Sequence, residues 1–185
     1  MNGKPVEASP RVMLKNQIKK LKTQNLTMKS GVECEYFLIS PDGDSIADPR
    51  DTQSKPCYDQ SALMRRYDLI KEICDCMIEM GWGPYQNDHE DANGQFEMNW
   101  DYSDCLETAD RHTFFKYMVK TIAEKHGLRA TFMPKPFNNL TGNGCHAHVS
   151  VWQGKKNMFL DKSDKLGLSK MAYNFLGGVI KNASS

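Results

Sequence analysis

The spacing of apolar residues changes period several times along the chain, and each change marks an element. "RVMLKNQIKKLKTQ" (11–24) sets Leu14, Ile18 and Leu21 at helical spacing, with Lys15, Lys19, Lys20 and Lys22 elsewhere on the wheel. It predicts an amphipathic helix with a solvated basic face. Period-two alternation takes over in "VECEYFLI" (32–39), a strand, and "SPDGDSIADPRDTQSKP" (40–56) is a long loop of turn formers. Residues 59–80 predict a helix with Tyr67, Ile70, Cys74, Met77 and Ile78 on or near one face and Gly81 as its stop. "GQFEMNW" (94–100) is a second strand. Residues 104–126 make a long helix whose apolar stripe is Phe114, Phe115, Met118, Val119 and Ile122, closed by Gly127. "LRATFM" (128–133) and "CHAHVSVW" (145–152) are two more strands, and "LSKMAYNFLGGVI" (168–180) is a last helix with an apolar face. This order implies an α+β fold in which long helices back an antiparallel sheet.

Three of the strands divide their faces in the same way. Glu33 and Glu35 oppose Cys34 and Tyr36; Gln95 and Glu97 oppose Phe96 and Met98; His146, His148 and Ser150 oppose Ala147 and Val149. With the apolar backs against helices, the fronts converge on one cavity holding Glu33, Glu35, Glu97 and His146, with Glu90 of the preceding "NDHE" segment nearby. Carboxylates this close repel one another unless a positive charge intervenes, and a divalent cation supplies it. A set rich in carboxylates, with one imidazole and no thiolate, suits Mg²⁺ or Mn²⁺ better than structural zinc. Beside it, "GNGCHAHVS" (142–150) follows the basic "FMPKP" with Lys135. Two glycines there let backbone amides approach an anion, and a phosphate is the first suspect. A lone Glu-x-Glu is usually a solvated strand edge and a lone His-x-His an ordinary polar pair; the convergence carries the reading, not either motif.

Composition sharpens this by exclusion. The 185 residues suit about one domain, and 24 Lys plus Arg against 23 Asp plus Glu leave a formal charge of +1. No global field draws the chain to nucleic acid or to a membrane. No apolar run approaches the roughly 20 residues of a membrane span, and "MNGKPVEASP" lacks the apolar stretch of a signal peptide, so a cytoplasmic location is expected. Cys34, Cys57, Cys74, Cys76, Cys105 and Cys145 include no C-x-x-C pair and read as small buried hydrophobes. Asp44, Asp48 and Asp51 miss the spacing of a calcium loop and read as a solvated turn.

Taken together, "GVECEYFL", "DHEDANGQFE", "ADRHTFFKYMVKTIAEKHGLRATFMPKP" and "TGNGCHAHVS", in this order, closely resemble the catalytic domain of glutamine synthetase, in a branch that includes γ-glutamylmethylamide synthetase-like enzymes. The resemblance runs from about residue 31 to 185, with shorter matches such as "SPRVML" before it. It implies a partial catalytic domain with a curved antiparallel sheet over residues 31–185, and in residues 1–30 a remnant of the connection from a β-rich N-terminal domain. It also implies an ATP-dependent ligase that makes glutamine, or a related γ-glutamyl amide, from glutamate and ammonia or a small amine through γ-glutamyl phosphate. Glu35, Glu90 and Glu97 match ligands of a first metal ion; Glu33 and His146 match two of three ligands of a second. Gly142 matches the glycine near which glutamate binds, with His146 beside it. His148 and Ser150 match nucleotide contacts, and Tyr102 an aromatic bordering the nucleotide. The family assembles as homo-oligomeric rings.

Departures from the family pattern are as informative. Thr141 stands where many members have Asn, and Asp88 where many have His. The family's glutamate-binding arginines, a further metal-binding Glu and an acidic flap would lie past Ser185, so the expected state of these residues alone is inactive. Two readings compete with the ligase. One is a non-catalytic truncated paralogue or interaction subunit that keeps a metal and nucleotide face. The other, a metal-dependent hydrolase, accounts for the Glu and His cluster but not for the adjoining glycine loop.

Overall fold

The computed structural model describes residues 3–184. Its contacts divide the chain into two compact units, one of residues 1–30, 103–107 and 148–185 and one of residues 31–102 and 108–147. In the first, α1 (Pro10–Thr23) starts on a proline, whose missing amide would be unpaired in a first turn anyway. The unit also holds the opening residues of β1 (Thr27–Ile39), which pair with β4 (Ser103–Asp104). It holds residues 148–153 of β6 (Cys145–Gln153) as well, and there Trp152 and Gln153 pair with β7 (Lys156–Asn157). In α5 (Lys170–Asn182) the Ser169 hydroxyl accepts the Ala172 amide at the N-terminus, and Phe175 packs on Phe159 with ring centres 5.3 Å apart.

The second unit is built on β1, which pairs antiparallel with β3 (Gln95–Trp100), and β3 in turn with β2 (Pro84–His89). The far end of β1 pairs with β5 (Arg129–Thr131). The apolar backs of β1 and β3 lie on α3 (Tyr67–Glu79) and α4 (Cys105–Lys125). Tyr36, Leu38, Ile73, Met77, Phe96, Met98, Phe115, Val119 and Ile122 form one buried cluster. Tyr36 and Trp100 both meet the Phe115 ring, at 6.2 and 4.9 Å between centres. The α+β arrangement, an antiparallel sheet with long helices behind it, is therefore the one expected.

Both glycine stops act as the pattern predicted. Gly81 and Gly127 take φ of +70° and +69°, and the Trp82 and Leu128 amides reach back to the Met77 and Ala123 carbonyls, each at 2.9 Å.

Several details differ from the sequence reading. The helix expected over 59–80 is two helices, α2 (Gln60–Met64) and α3, parted at Arg65 and Arg66. The arginines hold the long loop instead: Arg65 pairs with Asp48, and Arg66 donates to the Ala47 carbonyl at 2.6 Å. Asp48, under Arg65, and Asp51, held by His89, Asn93 and the Gly94 amide, are thus not solvated but buried. Burial would raise both carboxyls, yet hydrogen bonds hold Asp48 below its ordinary value through Arg65 and Arg50, and Asp51 through Asn93, His89 and Gly94. The buried stripe of α3 is Leu69, Ile70, Ile73 and Met77, while Tyr67 and Ile78 face solvent. Phe114 is likewise exposed, its ring edge-on to Trp82 at 6.1 Å. Only Cys34 and Cys105 among the six cysteines are fully buried, and Cys145 is exposed. Strand β2 escaped prediction because "PYQNDH" has almost no strand-forming side chain. No helix among the described residues is long and apolar enough to cross a membrane.

Candidate functional site

Strand register assembles the acidic face. In an antiparallel pair, directly opposed residues point to the same side of the sheet. Glu35 of β1 lies opposite Glu97 of β3, and Glu97 lies opposite Asp88 of β2. Three carboxylates thus stand in one row across three strands. One step along, Glu33 lies opposite Asn99. On the same side of β1, further along, Phe37 and Ile39 are capped by Phe137 and Leu140, with the Phe37 and Phe137 rings 5.7 Å apart. That apolar plug covers one end of the face.

The site side chains fall into two groups of donors. One carboxylate oxygen each of Glu33 and Glu97 and a ring nitrogen of His146 lie within 4.8 Å of one another, as do oxygens of Asp88, Glu90 and Glu97. Glu97 belongs to both. His146 Nδ1 is 3.0 Å from Glu33 Oε2, and this contact raises the imidazole above its ordinary pKa, with Glu33, Glu35 and Glu97 adding charge. Burial and the charges of Glu97 and Glu35 push Glu90 up to about 7. Burial also raises Glu97, aided by Glu33, Glu35 and Asp88, although a hydrogen bond from Asn99 opposes the shift. These oxygen donors, with one nitrogen, lie close enough to share an ion of the Mg²⁺ or Mn²⁺ class, which would offset their mutual repulsion.

Glu35 is held differently. Its Oε2 accepts from Gln95 Nε2 at 2.8 Å and from the Gly144 amide at 2.9 Å. Gln95 is wholly buried; its Nε2 is also within hydrogen-bonding reach of the Gly142 carbonyl and Asn143 Oδ1, at 3.1 and 3.0 Å. Asn143 Nδ2 in turn donates to the Met133 carbonyl at 2.9 Å, and its amide to Pro134 O at 2.8 Å. The anion facing the Gly144 amide is therefore a carboxylate of the chain itself, which corrects the first reading of that amide as a phosphate donor. A Cβ at Gly144 would stand 2.8 Å from Glu35 Oε1, and one at Gly142 would strike the Pro134 carbonyl. Lys135 is turned to the Leu140 carbonyl.

The remaining expected residues are exposed or partly so. Tyr102 belongs to the second unit, its Cβ about as close to Gly31 as a side chain there would permit. His148 and Ser150 lie in the first unit, where the Ser150 hydroxyl accepts from Trp152 Nε1 at 2.8 Å. Sequence reasoning overlooked Asp88 as a donor and Gln95 and Asn99 as supports. Asp88 belongs to the unrecognised strand β2. Gln95 had been placed on the correct face, where a buried amide between acids signals a hydrogen-bonding role.

Behind the acidic face lies a third cluster. Cys34 Sγ is 3.6 Å from His112 Nε2 on α4, and Cys145 Sγ joins them within 4.8 Å. A hydrogen bond from Cys34 brings the Cys145 thiol down to about 7, with Lys116 and His146 assisting; the same contact, with burial, raises Cys34.

Residues 7–185 match the family model for the glutamine synthetase catalytic domain. The chain belongs to the glutamine synthetase family. It is 63% identical to a glutamine synthetase of Rhizobium meliloti (strain 1021) over 187 residues, all of this chain and 43% of that protein. It is 45% identical to a glutamate–methylamine ligase of Methyloversatilis universalis, over 98% of this chain and 42% of the relative. The solved structure described as "Apo GmaS without ligand" superposes with a TM-score of 0.96 at 62% identity, covering 99% of this chain and 44% of that one. The chain thus spans about two fifths of the length of these relatives.

Proposed function

We propose that these residues carry the metal-binding acidic face of an ATP-dependent ligase that joins glutamate to ammonia or a small primary amine through γ-glutamyl phosphate. The supporting observation is the row Asp88, Glu97 and Glu35, with Glu33 and His146 adjoining, in a chain of this family. Glu33, Glu35, Glu90, Glu97 and His146 would hold Mg²⁺ or Mn²⁺, which offsets charge on a phosphoryl group in transfer. The chain's own part is orientation. Gln95 and the Gly144 amide fix the Glu35 carboxylate, and Asn99 donates to Glu97 Oε1 at 3.0 Å. Outer supports of this kind matter: losing one typically costs 10–100-fold in metal affinity or activity. Gly142 would border the glutamate position, and His148 and Ser150 would contact the nucleotide.

The test is ATP- and Mg²⁺-dependent γ-glutamyl hydroxamate formation by the intact protein that carries these residues. Glu97→Gln should lower turnover by roughly a hundredfold or more, since it removes a charge shared by both donor groups. Undiminished turnover in that variant would sink the assignment. A folded, metal-binding protein without turnover in any form would instead identify a non-catalytic paralogue.

A further inference from the structure

The back of the same strands carries donors of the opposite chemical character. Cys34 sits between Glu33 and Glu35 in β1, so its side chain leaves the other side of the sheet. It is buried at 2% exposure. His112 approaches from α4 and Cys145 from the first residue of β6. Three elements distant in sequence therefore bring two sulfurs and an imidazole nitrogen within 4.8 Å of one another, inside one compact unit.

The dimensions fit a particular class of ion. Zn²⁺ holds sulfur at about 2.3 Å and nitrogen at about 2.0–2.1 Å, so in a tetrahedron the S···N separation comes to about 3.5 Å. Cys34 Sγ and His112 Nε2 are 3.6 Å apart. A bare disulfide between Cys34 and Cys145 would leave the convergence of His112 unexplained. Thiolates also select against Mg²⁺ and Mn²⁺, which prefer the oxygen donors of the front face.

We propose that Cys34, His112 and Cys145 form a binding site for a thiophilic divalent ion of the Zn²⁺ class, separate from the carboxylate face and with a fourth position open to water. The exposed Cys145 provides the route of entry. An ion there would tie α4 and the start of β6 to β1, bracing from behind the strand that carries Glu33 and Glu35. The proposal does not rest on the ligase reading.

The experiment titrates the full-length protein with Co²⁺ under a phosphine reductant, with Mg²⁺ in large excess to fill the oxygen site. The expected result is one equivalent of Co²⁺ bound with thiolate-to-cobalt charge-transfer absorption, bleached by one equivalent of Zn²⁺. Cys145→Ser, at an exposed position, should weaken binding by more than about tenfold, as should His112→Ala. Glu97→Gln should leave the absorption intact, which separates failure of this site from failure of the front one. Absence of the charge-transfer band overturns the proposal. So does a band that survives unchanged in both Cys145→Ser and Cys34→Ser, with circular dichroism establishing that each variant is folded.

Discussion

At Gly144 the missing side chain is a steric requirement, since the backbone is not in the left-handed region and its amide must come within 2.9 Å of Glu35. Gly144→Ala should displace that carboxylate and weaken Mn²⁺ binding by about tenfold while the fold persists. Isothermal titration measures this, and unchanged affinity would mean that Glu35 adapts freely. Asp51 presents the complementary case of a side chain with too many partners to lose. It accepts from His89 Nε2 at 2.6 Å, Asn93 Nδ2 at 2.9 Å and the Gly94 amide at 2.6 Å. Asp51→Ala strands buried donors and should cost about 3 kcal/mol in urea unfolding. Asp44→Ala, in the same loop but exposed, should stay within about 0.5 kcal/mol. The two aspartates look alike in the sequence because both sit among turn formers. What separates them is contact with residues some forty positions away, and no local pattern encodes that. The glutamates of β1 and β3 were legible for the opposite reason: alternation is local, and it fixes the side of the sheet before any partner strand is known.

Elements were legible where one period ran long enough. The strand at 94–100 and the helix at 104–126 fall within a residue of their predicted limits, because their ends carry turn or glycine signals, whereas the strand expected over 32–39 starts five residues earlier, at Thr27, and runs through Gly31 without a break. The helix over 59–80 was overextended because its apolar spacing continues across Arg65 and Arg66, whereas those side chains are drawn to Asp48 and the Ala47 carbonyl. Strand β2 was invisible because an edge strand can be held by pairing with β3 alone, with little apolar content of its own. In α5 the pattern predicts an apolar face, but Val179 and Ile180 are 54% and 68% exposed whereas Ala172 is buried. Substitutions at the two exposed sites, Val179→Gln and Ile180→Lys, should therefore shift unfolding by no more than about 0.5 kcal/mol while improving solubility. A loss of 2 kcal/mol or more would show that the helix buries those side chains in solution.

On the scale of the molecule, the acidic face sets stability and metal affinity against each other. Glu90 holds its proton up to about pH 7 in the folded chain, against 4.5 for an ordinary glutamate. Between these values the folded state binds more protons than the unfolded one, so the metal-free protein should lose stability as pH rises from about 4.5 through 7. Metal binding requires the carboxylates ionised and so should strengthen across the same window. In a chelator the melting temperature should fall with pH; in saturating Mn²⁺ the fall should shrink or reverse, because an ion bound only to the folded state stabilises it. Glu90→Gln should flatten the metal-free profile and weaken the response to metal. A metal-free profile as steep in Glu90→Gln as in the unchanged chain would assign the pH dependence to other groups. Stabilisation by metal does not entail turnover. Because these residues span 42–43% of the length of their ligase relatives, the 185-residue chain alone should gain stability from Mn²⁺ yet form no γ-glutamyl hydroxamate. Robust hydroxamate formation by the short chain would show that the face described here suffices for the chemistry.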